Sequence, residues 1–309
     1  MAGNKDLHEL RPASIVQPLH NSIPTELVPR FDPVYVQYYN KYNAGRLHTH
    51  EVSIEAFRKD PAKYLTSYGR AAGPDIFRIT EQTCAVKDGE IKVRIFEPAS
   101  ILDEQGKPKK RAVYVNFHGG GWVFGNLATD HDLFPTAVDD CWAAFNWVRS
   151  RADEFHLDVN RISALVVPVC DLHSPFTPDG QFDREGCPYE SYREMEYTIA
   201  LPVARMSYFH KHFLGVPRPA LSDEDWKISP MLASSFSNLA PALVFSAEMD
   251  PLRDEAEVYA DKLKVAGGRV ELVGVPGAPH TFSGLDDILE SAKMFNAKVI
   301  DTMKKELLS

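Results

Sequence analysis

The chain has 309 residues, 44% of them apolar and 25% charged, with 18 glycines and 22 prolines. This is globular usage, which excludes a disordered, collagen-like or repeat-built chain and supplies enough apolar side chains for a sizeable core. Lys plus Arg 34 against Asp plus Glu 43 leaves a formal net charge of −9, which repels phosphate backbones and anionic membrane surfaces, so no nucleic-acid partner is expected.

Cysteines at 84, 141, 170 and 187 have no C-x-x-C spacing, so neither a zinc cluster nor a disulfide framework is expected, and no metal or other cofactor is indicated. The opening MAGNKDLHEL puts charged residues where a signal peptide needs an apolar run, and no stretch approaches the roughly 18 consecutive apolar residues of a membrane span. The expectation is a cytoplasmic chain with reduced thiols and no stable membrane insertion.

Residues 1–75 hold short helix-like, aromatic-rich segments at 31–43 and 50–65, broken by Pro24, Pro29, Pro33 and Pro61, and read as a helical cap. FRITEQTCAV at 77–86 and EIKVRIFEPA at 90–99 alternate with period two around Lys87, Asp88 and Gly89, which predicts a β-hairpin. Lys107, Lys109, Lys110 and Arg111 form a basic run read as a solvated loop in preference to a binding patch. RAVYVNF at 111–117 suits a strand buried on both faces, and FPTAVDDCWAAFNWVRSRADEF at 134–155 has helical periodicity with Pro135 at its start. Strands are then expected at 161–172, 241–250 and 269–277, with a helix at 255–268 closed by Gly267 and Gly268. A cap insertion at about 185–220 carries two helical stretches parted near Pro202, whose Tyr, Met and Phe residues would line a hydrophobic pocket. A last helix spans 288–308. Alternation of strand and helix gives an α/β class with a mainly parallel sheet.

Three residue sets carry chemistry. His118, Gly119, Gly120 and Gly121 follow a predicted strand, where consecutive glycines let backbone N–H groups converge as an oxyanion hole requires; a flexible turn or phosphate nest is the alternative. No Gly-Lys-Ser/Thr follows, so this is not a nucleotide P-loop. Asp250 and His280 fall after two neighbouring strands, at carboxyl ends where α/β sites lie. Alone, Asp250 beside Pro251 reads as a helix cap and His280 as a structural or surface histidine. With the glycine loop upstream, they follow the acid-then-histidine order of an α/β-hydrolase triad.

On HGGG at 118–121, FPTAVDDCWAAFNWV at 134–148, ISPMLA at 228–233, DPLRDE at 250–255 and PHTF at 279–282, the chain resembles the hormone-sensitive-lipase-like α/β-hydrolases, small carboxylesterases with an HGGG motif. The resemblance runs over most of residues 75–309. It implies a helical cap at 1–75 and an α/β-hydrolase domain at 76–309. It also implies Gly119 and Gly120 as oxyanion donors, His118 and Gly121 as their supporting loop, Asp250 as orienting acid and His280 as general base. The reaction implied is hydrolysis of small to medium hydrophobic esters through an acyl-enzyme.

The chain departs from the family at the nucleophile. None of the 18 glycines is followed two positions later by Ser or Cys, so the Gly-x-Ser-x-Gly elbow is missing. RISA at 161–164 runs directly into LVVPVCD, where the family has GDSAGG and a helix, and a second family block is missing between TDHDL at 129–133 and FPTAV at 134–138. One or two central strands are therefore expected to be absent, with joins at Leu133/Phe134 and Ala164/Leu165. Ser163 lies in a strand-like run without a glycine turn, and Cys170 has no elbow pattern. Three readings follow: an active esterase with an unrecognised nucleophile; a non-catalytic, receptor-like binder of a hydrophobic ester or acid; or an inactive esterase descendant that lost two internal blocks through an altered transcript or a wrongly predicted gene. Retained Asp250 and His280 beside vanished interior strands favour the third. A strand lost from the sheet would leave its neighbours with unpaired backbone groups, hence a marginal fold.

Overall fold

The computed structural model describes residues 20–60, 63–64, 73, 75–99, 102, 104–117, 119–122, 134–165, 169–220 and 225–308. Helix α1 (Pro33–Tyr42) starts where Asp32 accepts a hydrogen bond from the Val34 N–H at 2.7 Å, with proline at the first turn. Helix α2 (Ile54–Lys59) is capped by the Ser53 hydroxyl. The hairpin is as expected: β1 (Arg78–Val86) pairs antiparallel with β2 (Gly89–Glu97), and Val86 opposite Gly89 leaves Lys87 and Asp88 as its turn.

Two parallel pairs follow. Strand β3 (Arg111–Asn116), helix α3 (Thr136–Ser150) and β4 (Leu157–Leu165) make one strand–helix–strand unit, with Asn116 opposite Leu165. Past α4 (Glu190–Glu194) and α5 (Val203–Leu214), β5 (Ala242–Ala247), α6 (Arg253–Val265) and β6 (Val270–Val275) make another. Helix α7 (Glu290–Leu308) closes the chain, and its Phe295 ring lies 4.5 Å from Phe245 of β5. The described strands thus pair two by two, as three two-stranded sheets.

Two expected boundaries need correction. The helix expected at 134–155 ends at Ser150, and residues 151–156 turn to a left-handed His156 (φ 52°), whose carbonyl accepts from the Arg111 N–H at 2.8 Å and starts β4 beside β3. Of the strand expected at 161–172, β4 begins earlier and is described over Leu157–Leu165, and residues 166–168 lie outside the described residues. Residues 170–174 are a loop whose backbone donors go to side chains: Cys170 N–H to Glu255 (2.6 Å), Leu172 N–H to the Ser229 hydroxyl (2.8 Å), and His173 and Ser174 N–H to Asp171 (both 3.0 Å). Side-chain acceptors satisfy that backbone without a ladder, so an apolar run there need not be a strand. In the 185–220 insertion both helices form; Tyr192 and Met195 are fully buried core residues, whereas Tyr197 and Ile199 line a cavity of about 510 Å³.

The chain divides into two compact units, one from residues 1–72, 169–211 and 216–299, the other from 73–168, 212–215 and 300–309. In the first, Phe31, Tyr35 and Tyr39 share one core with Met195, Met249, Val275, Ala278, Phe282 and Leu285. In the second, no residue of α3 is buried and Trp142 is 63% exposed. Among the described residues no helix is long and apolar enough to cross a membrane.

Candidate active site

Parallel pairing of β5 with β6 aligns Ala247 with Val275, and two backbone bonds extend the alignment: Glu248 N–H to the Val275 carbonyl and Met249 N–H to the Ala278 carbonyl, both 3.0 Å. The residues that follow are Asp250 and, two beyond Ala278, His280. Their side chains meet, with Asp250 Oδ2 2.7 Å from His280 Nδ1. Asp250 Oδ1 accepts the Leu252 N–H at 3.0 Å, so both carboxylate oxygens are engaged and the group is fixed at the start of α6.

Burial of the His280 ring works against its charged form, but the Asp250 carboxylate outweighs this by charge and hydrogen bond; Arg205 subtracts a part, and the imidazole pKa is held above its ordinary value. With Nδ1–H donated to Asp250, the neutral ring carries its lone pair on Nε2, the tautomer a general base needs.

Of the predicted oxyanion loop, His118 lies outside the described residues. Gly121 takes a left-handed conformation (φ 58°) that favours glycine, and Trp122 shares it (φ 60°) with its ring stacked 4.8 Å from Phe213. A Cβ on Gly119 would touch nothing within 4 Å, so packing among the surrounding atoms does not itself demand glycine there. Ser163 pairs with Tyr114 in the interior of the β3–β4 ladder, without the sharp turn a nucleophile elbow needs. Cys170 is buried, and burial together with the Glu255 charge pushes its thiol far above the ordinary value, opposite to the shift that activates a nucleophile.

Sequence reasoning missed a second layer. Glu255, wholly buried at the start of α6, accepts from the Tyr192 hydroxyl (2.7 Å) as well as from Cys170 N–H. Burial pushes its carboxyl up to about 8 against those two hydrogen bonds. The signal available was its place in DPLRDE, five residues after Asp250. Burial, helped by Arg205, lowers His48 to about 3 and His50 to about 4, and both rings line a cavity of about 510 Å³ with Gln181, Phe182 and Thr198. Tyr39 donates its hydroxyl proton to the Asn21 carbonyl at 2.8 Å, so the contact of that oxygen with His48 Nε2 at 3.2 Å requires His48 to donate. Among the described residues no group of three or more His, Cys, Asp or Glu is arranged to hold a metal ion.

The model of the α/β hydrolase fold family matches residues 168–284, a stretch that contains both Asp250 and His280. An ester-hydrolase from the metagenome of Lake Arreo superposes with a TM-score of 0.71 at 23% identity, over 93% of this chain and 100% of that one. The chain has the α/β-hydrolase fold. Among curated relatives, an AB hydrolase superfamily protein of Schizosaccharomyces pombe is 26% identical over 344 positions, covering 90% of this chain and 94% of the relative. An ethyl acetate hydrolase of Pseudomonas putida is 26% identical over 324 positions, covering 89% and 99%. Both alignments exceed the 309 residues of the chain, so each relative carries residues that this chain does not oppose. These similarities support descent from esterase-like α/β-hydrolases.

Proposed function

We propose that this chain is a carboxylic-ester hydrolase by descent that has kept the acid–base half of its triad and lost the nucleophile, and does not turn over esters. The carrying observation is the 2.7 Å Asp250–His280 pair in a chain where no glycine precedes Ser or Cys at elbow spacing. The pair can orient and deprotonate a hydroxyl, but without a serine or cysteine at elbow spacing in the sequence it has only water to act on. Alignments longer than the chain support internal loss, as do the joins at Leu133/Phe134 and Ala164/Leu165, where family blocks are missing between matched motifs.

In this reading Gly119 and Gly120 remain as oxyanion donors held by His118 and Gly121, and residues 1–75 with about 185–220 form the cap of the hydrolase domain at 76–309. The ancestral substrate was a small hydrophobic ester handled in the cytoplasm, in keeping with the ethyl acetate hydrolase among its relatives. A fluorophosphonate probe tests the proposal, since it labels activated serines. Intact-mass analysis is expected to show no adduct on the purified chain, and a stoichiometric adduct on any serine would overturn the proposal. Genomic DNA across the two joins is expected to hold in-frame codons for a Gly-Asp-Ser-Ala-Gly segment.

A further inference from the structure

The turn that carries His280 is gripped from two sides. On one side the Ala278 carbonyl takes the Met249 N–H at 3.0 Å, immediately before Asp250. On the other, the Gly277 carbonyl takes the Asp32 N–H at 3.0 Å, from the residue that caps α1. Gly277 is left-handed (φ 64°), and a Cβ there would lie 2.8 Å from the Asp32 nitrogen and 3.3 Å from the Arg30 carbonyl oxygen. Only glycine lets these two backbones approach. The Gly277 N–H goes to Glu248 Oε2 at 2.8 Å, and the other oxygen of Glu248 lies 3.6 Å from the Arg30 guanidinium. Beneath the grip, Phe31 and Tyr35 are each 3% exposed and pack in one core with Met249, Val275, Ala278 and Phe282.

We propose that the Arg30–Asp32 segment, docked through Gly277, is a fixed strut that holds His280 against Asp250, and that Gly277 is a positioning residue for the pair. A lid that swings over a site is attached by few buried contacts, because it must open at low cost. Here the N-terminal segment contributes a backbone hydrogen bond and buried aromatic rings to the turn that presents His280. The proposal rests on the assignment of Asp250 and His280 as an acid–base pair, and not on ester turnover, so its tests read the His280 ring itself.

In the full chain, Gly277→Ala is expected to move the His280 titration midpoint, followed by NMR of labelled histidine rings, down toward about 6.5 and to abolish the downfield Nδ1–H resonance. The ring signals of His173, bonded to Ser229 at 3.0 Å in the same unit, should stay in place. An unchanged His280 midpoint in a variant whose Asp32 amide has lost protection would overturn the proposal. Should the variant fail to fold, hydrogen exchange on the unaltered chain decides. A strut requires the Asp32 and Met249 amides to exchange within about tenfold of each other, after correction for intrinsic rates. An Asp32 amide exchanging faster than that, with Met249 still protected, would mean a lid and would overturn the proposal.

Discussion

The two compact units differ in how far they bury what their sequences were patterned to bury. In the first, β5 and β6 end in Ala247 and Val275, both buried, and Met249, Leu285, Leu289 and Ala292 are sealed in the core around them. In the second, RAVYVNF has the composition of a strand covered on both faces, yet Tyr114 of β3 is 43% exposed, and α3 offers no buried residue against it. Ile79 and Phe96, directly opposed on β1 and β2, are also exposed. Both proposed joins, Leu133/Phe134 and Ala164/Leu165, fall within the second unit, whereas the fold-family match at 168–284 begins just after them. The difference teaches that burial is concentrated in the unit that holds Asp250 and His280, and that the proposed internal loss would be confined to the other. In the proposed reading, Asp250 and His280 are kept where β5, α6 and β6 carry their own core.

The sharpest way to break that comparison is hydrogen exchange along the two parallel ladders. Amides of Val113 and Ala164 are expected to exchange on the order of 100-fold faster than those of Phe245 and Val273, because half-exposed ladders open with little loss of burial. Equal protection would contradict it. Side-chain truncation gives the next effect: Met249→Ala should cost about 2–5 kcal/mol, as for a buried methionine, whereas Trp142→Ala should stay within about 0.5 kcal/mol despite the larger side chain removed. Denaturant midpoints of the two variants would check this.

The pH dependence of the first unit sharpens the comparison further. Glu255 holds its proton up to about 8 when folded but to about 4.3 when unfolded, so the stability tied to that proton is full in acid and is lost as pH rises between those values. The raised His280 acts in the same direction: the stability from its Asp250 pair is full below about 6.5 and fades as pH climbs through the folded value. His48 and His50 act oppositely. Lowered to about 3 and about 4, they stabilise above their unfolded value near 6.5 and cost stability as pH falls below it. Stability is therefore expected to peak near neutrality, with Glu255→Gln flattening the alkaline limb and His50→Gln the acid one, as read from urea midpoints across pH.

Much of this was legible in the sequence because local physics decided it. Alternation around Lys87 and Asp88 gives the hairpin, Pro135 marks the entry to α3, and acid and histidine placed after neighbouring strands meet at 2.7 Å. What could not be read depended on partners distant in sequence. The 170–174 loop looked like strand because its satisfaction by Glu255, Ser229 and Asp171 leaves no local periodic mark. Nothing in a single sequence marks Glu255 as the partner of Tyr192, or Arg205 as acting on a pair of histidines. The exposure of α3 was equally hidden, because an amphipathic pattern records the face a helix was selected to bury and not whether its cover is present.

The central claim is that the acid–base pair persists without a nucleophile, and hydrolysis of a short-chain aryl ester by the purified chain tests it most directly. The account predicts the same slow rate for the unaltered chain and for His280→Ala, both close to that of buffer. Robust turnover that His280→Ala abolishes would contradict it.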